Sequence, residues 1–257
     1  MNFEKYKEEF ESYAKEYMRG EEGGPLHYME VKLTHTMGVV SAAERIAKSI
    51  NLSDEEVELA KLCALMHDVG RFPQIAKYKN DNDLITENHA LLSVKTIKEK
   101  EMLHEDDATN NLVLKAVEYH NMSEIPDEEK DERIIMYAKI LRDADKVDIY
   151  RAVVEEVLSL PLDELKELYS DLSFEEKTSD AIYEGYMNGT YVPKSEVKTM
   201  LDHNLLQLGW VIDGFYYKET GKIIAENNYP ARMFEQIKMD DRAKEIYDKA
   251  MKILEEC

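Results

Sequence analysis

Apolar side chains recur at steps of three and four along most of this chain, and no stretch alternates convincingly with a period of two. Residues 2–18 read as an amphipathic helix stopped by Gly20 and by Gly23-Gly24-Pro25. A second helix is predicted from about Tyr28 to Ile50, with Val31, His35, Val39, Ala42 and Ile46 on one stripe. Ser53 followed by Asp54-Glu55-Glu56 is an N-cap with a capping box, and it opens a third helix ending near Asp68-Val69-Gly70. Residues 71–87 read as a loop, with Pro73 and Asn80-Asp81-Asn82-Asp83 as breakers. Further helices are predicted at about 88–102, 106–121, 128–142 and 144–158.

After Pro161 the pattern continues in shorter pieces, at 162–170, 174–188, 195–220, 230–238 and 240–256. Lys222-Ile223-Ile224 is the one place where a short extended piece could form. With neither an internal repeat nor a low-complexity linker, the expectation is a single all-α domain. It comprises a helical-bundle core over about 26–158 and a C-terminal helical extension over about 159–257, divided at the Pro161 region.

Composition narrows the picture. Of 257 residues 44 % are hydrophobic, enough for a sizeable core, and glycine (10) and proline (6) are scarce as a helical chain requires. The formal net charge of −21 repels phosphate backbones and anionic lipid faces, so neither nucleic acid nor membrane is an expected partner. A small anionic substrate stays compatible, because a metal reverses the field inside a pocket. Two cysteines, Cys63 in an apolar run and Cys257, make no disulfide framework. The N-terminal segment has no apolar signal region and no window approaches a bilayer span, so a cytoplasmic location is expected.

The chemistry lies in the histidines. His35 and His120 each sit on the apolar stripe of their helix, His120 completing Val113, Ala116 and Val117. Asp145 lies one turn before Ile149 and two before Ala152, on the face expected to be buried. The third helix, with Ala60, Leu62, Cys63, Ala64, Leu65 and Met66, is apolar almost all round and ends in His67-Asp68. Burying that pair unpartnered costs several kcal/mol, a cost removed if both bind a cation. A lone inward histidine is ordinarily a satisfied core residue, and an inward aspartate ordinarily pairs with a base, here Arg142 or Lys146. Several independent helices each turning a metal-type ligand inward is a different pattern. Histidine and carboxylate without thiolate suit Fe, Mn, Co, Ni or Zn, and six candidates suit two ions better than one.

In order along the chain, His35, then His67-Asp68-Val69-Gly70-Arg71, then Ala144-Asp145-Lys146 resemble the H…HD…D signature of the HD superfamily of metal-dependent phosphohydrolases. His89 in Asn88-His89-Ala90 and His120 in Tyr119-His120-Asn121 resemble the extra histidines of its two-metal members. The resemblance covers about residues 26–155. It implies an HD-domain helical bundle in which His35, His67, Asp68 and Asp145 hold one divalent transition metal. Asp68 would bridge to a second ion held by His89 and His120, and a metal-activated hydroxide would attack phosphorus. Asp148, one turn beyond Asp145, would support a ligand.

Arg71 and Lys146 are the expected phosphate contacts, and the substrate class is a small phosphate ester, a nucleotide or a phosphorylated metabolite. The Gly-Tyr-Pro motif of cyclic-di-nucleotide phosphodiesterases is absent, so that substrate is not assigned. Two other functions share the ligand set: a mixed-valent di-iron oxygenase, for which Tyr28 and Glu30 are the nearest candidate additions, and a non-catalytic ligand-binding module. His104 and His27 read as surface residues, and His203 as an interhelical one. Oligomeric state stays open at this point.

Overall fold

The computed structural model describes residues 1–18, 25–190 and 192–257, with the backbone alone for 25–28. The stop expected at Gly20, Gly23 and Gly24 therefore lies outside the described residues, as do the side chains of His27 and Tyr28. The fold is all-α: among the described residues there is no strand, only an isolated bridge between Ser173 and Thr199. None of the described helices is long and apolar enough to cross a membrane.

The chain divides into two compact units, Met1–Asp148 and Ile149–Cys257. The division falls inside a helix, ahead of the Pro161 region where the sequence pattern set it. The first unit contains α1 (Phe3–Tyr17), α2 (Pro25–Ser49), α3 (Asp54–Met66), α4 (Arg71–Tyr78), α5 (His89–Glu99), α6 (Asp107–Tyr119) and most of α7 (Glu132–Ala152). At its centre is α3, whose Leu62, Cys63, Ala64 and Leu65 have no exposed surface and which packs on α1, α2 and α6. The capping box at Ser53 and Glu56 fixes where α3 begins, so its far end, thirteen residues on, delivers His67-Asp68 to the middle of the unit.

Helix α1 buttresses that end. Phe10 and Tyr13 meet Phe72 edge-on, at ring centroid separations of 5.9 and 5.8 Å. The Tyr13 hydroxyl donates to the Val69 carbonyl at 2.8 Å, one residue past Asp68.

In the first unit two elements differ from the pattern-based expectation. Residues 71–78 are helical, not loop. Pro73 sits in the first turn of α4, where a missing N–H costs nothing, and eight residues are too few to show a period. The break expected at 143 is absent, and α7 runs on to Ala152 and into a π-helical turn at Val153–Val157. Asp143 and Ala144 are both fully buried, so position 143 lies on the inward face of a continuous helix.

In the second unit follow α8 (Leu162–Leu168), α9 (Asp180–Asn188), a 3-10 turn (Lys194–Glu196), α10 (Met200–Asp213), α11 (Lys218–Glu226), α12 (Tyr229–Arg232) and α13 (Asp241–Glu255). Its core gathers Leu201, Leu205 and Leu208 from α10 with Ile246 and Ala250 from α13. Residues 174–179 are not helical because Ser173 bonds to the 198–200 backbone and Asp202 takes up Ser179. The Lys222-Ile223-Ile224 segment is helical within α11. His203 is interhelical, its ring 4.9 Å from that of Tyr169.

Candidate metal centre

Five elements of the first unit bring the six expected ligands together. His35 comes from α2, His67 and Asp68 from the end of α3, His89 from the first position of α5, His120 from the C-cap of α6 and Asp145 from α7. Four of the side chains are histidines between 0 and 8 % exposed, and Asp68 is 3 % exposed.

Each imidazole is held by its Nδ1. His67 Nδ1 lies 2.7 Å from the Ala64 carbonyl and His120 Nδ1 2.6 Å from the Val117 carbonyl. A carbonyl only accepts, so both nitrogens carry their proton, and neutral rings then present a bare Nε2. Burial in fact pulls both pKa values down, that of His120 to about 3. His35 Nδ1 donates to Asp148 at 2.7 Å and His89 Nδ1 to Asp83 at 2.5 Å. A carbonyl or carboxylate behind every Nδ1 is the arrangement that aims Nε2 at a metal.

The Nε2 atoms and carboxylates converge. His35 Nε2 is 3.1 Å from Asp145 Oδ1 and 3.4 Å from His67 Nε2, and His89 Nε2 is 2.9 Å from His120 Nε2. Ligands about 2.1 Å from one ion stand about 3.0 Å apart at a right angle and about 3.4 Å apart at the tetrahedral angle. The observed separations fall at those values. The sets His35, His67, Asp145 and His67, Asp68, His120 each have ligand atoms within 4.8 Å of one another.

Asp68 faces both sides. Its Oδ2 is 3.7 Å from His67 Nε2 and 4.0 Å from His35 Nε2, while its Oδ1 is 3.6 Å from His89 Nε2. Oδ1 is buried with no hydrogen-bond partner, which costs on the order of 1–3 kcal/mol or more for a charged group unless a cation supplies the missing contact. The donor set therefore fits a divalent transition metal.

The carboxylates and the histidines shift one another's protonation. For Asp68 burial works toward a higher pKa, but His67, Lys32, Arg71 and His89 outweigh it and hold the carboxyl well below its usual range. Asp145 is likewise lowered, burial being overcome by His35 and the other histidines. His35 is opposed by burial yet raised to about 9 by hydrogen bonds to Asp145 and Asp148.

Asp83 and Lys32 were not singled out from the sequence. Asn80 and Asn82 accept backbone N–H groups two residues on, at 2.7 and 3.0 Å, and these turns shape the loop. The loop so formed places Asp83 behind His89. Arg71, expected at the phosphate, spends Nη1 on Gln74 Oε1 at 2.8 Å, the Asp81 carbonyl at 2.5 Å and Asp83 Oδ1 at 2.8 Å. Lys146 is partly buried beside Asp145, and its assignment to the substrate rests on that adjacency. Arg142 does not pair with Asp145: it donates to the carbonyls of Tyr119, Met122 and Ser123, closing the end of α6 around His120. Glu30 is exposed, and His104, also exposed, pairs with Glu9 at 2.9 Å.

Residues 33–150 match the family model of the HD domain. No curated protein and no solved structure matches the chain.

Proposed function

Residues 33–150 are an HD domain, of the metal-dependent phosphohydrolase superfamily, and from that premise we propose that this protein hydrolyses a small phosphate ester at a site for two divalent transition metals. The substrate class is a nucleotide or another small phosphorylated metabolite. The observation that carries the reading is Asp68, whose two oxygens face different histidines, Oδ2 toward His35 and His67 and Oδ1 toward His89. His35, His67 and Asp145 would hold one ion, His89 and His120 the other, with Asp68 shared between them. Bound there, the ions would lower the pKa of a water and neutralise charge developing on the phosphoryl oxygens.

The chain's own part is to fix the ligands in advance. Asp148 and Asp83 orient His35 and His89, and backbone carbonyls orient His67 and His120. The side chain of Asp145 is 20 % exposed against 1 % for His67, which supports entry of the substrate from the Asp145 side.

The test is elemental analysis of protein purified without a polyhistidine tag, beside hydrolysis of a panel of phosphomonoesters, phosphodiesters and nucleotides under Mn, Co, Ni, Zn and Fe. About two ions per chain and metal-stimulated turnover, abolished in Asp68→Ala, are expected. Full activity in Asp68→Ala would refute the site. Substrate-dependent oxygen uptake by iron-loaded protein without phosphate release would replace hydrolysis by oxygenation.

A further inference from the structure

We propose that Lys32 is the residue that binds the phosphoryl oxygens of the substrate, and that Asp81 competes with the substrate for its ammonium. The inference rests on the hydrolase reading for the identity of the ligand, but its geometry stands apart from the reaction.

Lys32 lies one turn before His35 on α2, three residues away and so on the same face. Its Nζ is 3.8 Å from Asp68 Oδ2 and 3.6 Å from Asp81 Oδ2. Both distances exceed a hydrogen bond. The ammonium therefore balances two carboxylates while committing none of its three protons to either. At 18 % side-chain exposure it is half-buried and still open to solvent.

Arg71, the other cation beside Asp68, is placed differently. Three hydrogen bonds tie its Nη1 to Gln74 and the 81–83 loop, and its Nε is buried 3.5 Å from Asp68 Oδ1. Its guanidinium is a tether between the turn after Asp68 and the loop that carries Asp83. Recruiting that Nη1 for a substrate would undo the loop.

Exposure gives the direction of approach. Asp68 and His67 side chains are 4 and 1 % exposed, whereas Lys32, Asp145 and Asp81 are 18, 20 and 41 % exposed. An anion arriving from solvent meets the carboxylates of Asp145 and Asp81 at this mouth, on a chain whose net charge is −21, with Lys32 between Asp68 and Asp81. Lys32 adds a positive charge at this mouth to that of the metals the site would hold.

The experiment is calorimetric titration of inorganic phosphate into the Mn-loaded full chain, with metal content and thermal midpoint measured on the same samples. Lys32→Ala and Lys32→Gln should weaken phosphate binding by about 10- to 100-fold, the range for losing a hydrogen bond to a charged group. Metal content should stay at the wild-type value, and Lys32→Arg should recover most of the affinity. Asp81→Asn removes the competing charge and should tighten phosphate binding, a sign that a purely structural role would not give. Wild-type affinity in Lys32→Ala would overturn the proposal, as would loss of metal in step with phosphate, weaker binding in Asp81→Asn, or no phosphate binding by the wild type. If Lys32→Ala weakens phosphate binding while the wild type hydrolyses no ester, the anion contact stands and the hydrolase reading falls. The converse pattern retains hydrolysis and removes Lys32.

Discussion

Asp83 holds His89 twice, Oδ2 accepting from the ring Nδ1 at 2.5 Å and from the backbone N–H at 3.3 Å. Its other oxygen takes Arg71 at 2.8 Å, so one carboxylate joins a candidate ligand to the residue that follows the His67-Asp68 turn. Asp83→Ala should lower the affinity for the metal ion proposed at His89 by about 10- to 100-fold, the usual effect of removing such a support. Competitive metal titration against a chelating dye measures it. Metal bound as tightly as in the wild type would show that the loop does not orient His89.

Gly38 allows the equivalent support of His35. A Cβ at position 38 would stand 1.7 Å from Asp148 Oδ1, a separation that no side chain tolerates. Gly38→Ala should push Asp148 away from His35 Nδ1 and destabilise the fold by about 1–3 kcal/mol through overpacking. Denaturant unfolding reads the stability. Nuclear magnetic resonance of the His35 ring should show its Nδ1 proton exchanging faster, and an unchanged proton would contradict the coupling.

Tyr13→Phe leaves the edge-on contacts with Phe72 in place and removes only the donor to the Val69 carbonyl. A loss of about 1 kcal/mol is expected, more if the carbonyl remains dry. The same variant should loosen metal binding slightly, because Val69 adjoins Asp68. A thermal midpoint equal to that of the wild type would mean that water replaces the hydroxyl.

In the second unit, Asp240 caps α13 and accepts from the Thr178 N–H at 2.8 Å, the Thr178 hydroxyl at 2.6 Å and the Ala243 N–H at 2.8 Å. Burial works to raise its pKa, and these hydrogen bonds prevail and lower it. A carboxyl lowered in the folded state stabilises the fold above its unfolded pKa, near 4, and loses that contribution as pH falls through the folded value. Asp240→Ala should therefore cost about 1 kcal/mol at pH 7, with the difference from the wild type shrinking below about pH 4. A difference that stays constant into strong acid would assign the effect to packing.

Five of the six candidate ligands were legible because a helical period turns them inward, and His89 came only from the family resemblance. His35, His120 and Asp145 occupy apolar stripes, and His67-Asp68 ends a helix apolar all round. What periodicity could not show is how they are held. Asp83 lies in Asn80-Asp81-Asn82-Asp83, which in one dimension looks like a solvated breaker, and only the turns made by Asn80 and Asn82 aim it at His89. Lys32 was missed for the opposite reason, since a search for apolar stripes passes over a cation on the same face. Arg142 was weighed as a partner for Asp145, one turn away, and instead closes α6 through three carbonyls distant in sequence. The fold itself read well at α1, α2, α3, α5, α6 and α13. It failed at α4, too short to show a period, at residue 143, which lies inside α7, and over 195–220, where α10 ends at Asp213 and α11 begins at Lys218.

The packing of α1 on Phe72 bears on where this protein can be cut. The family match begins at residue 33, after α2 has already made two turns from Pro25, and leaves α1 out altogether. An excised 33–150 fragment would strip Phe10 and Tyr13 from Phe72 and uncover the Val69 carbonyl, in the turn that aims His67 and Asp68. Recognition and cooperative folding thus have different borders here. The segment by which the family is recognised is shorter than the smallest piece that keeps that turn shielded, and a truncation meant to isolate the chemistry would begin by loosening it.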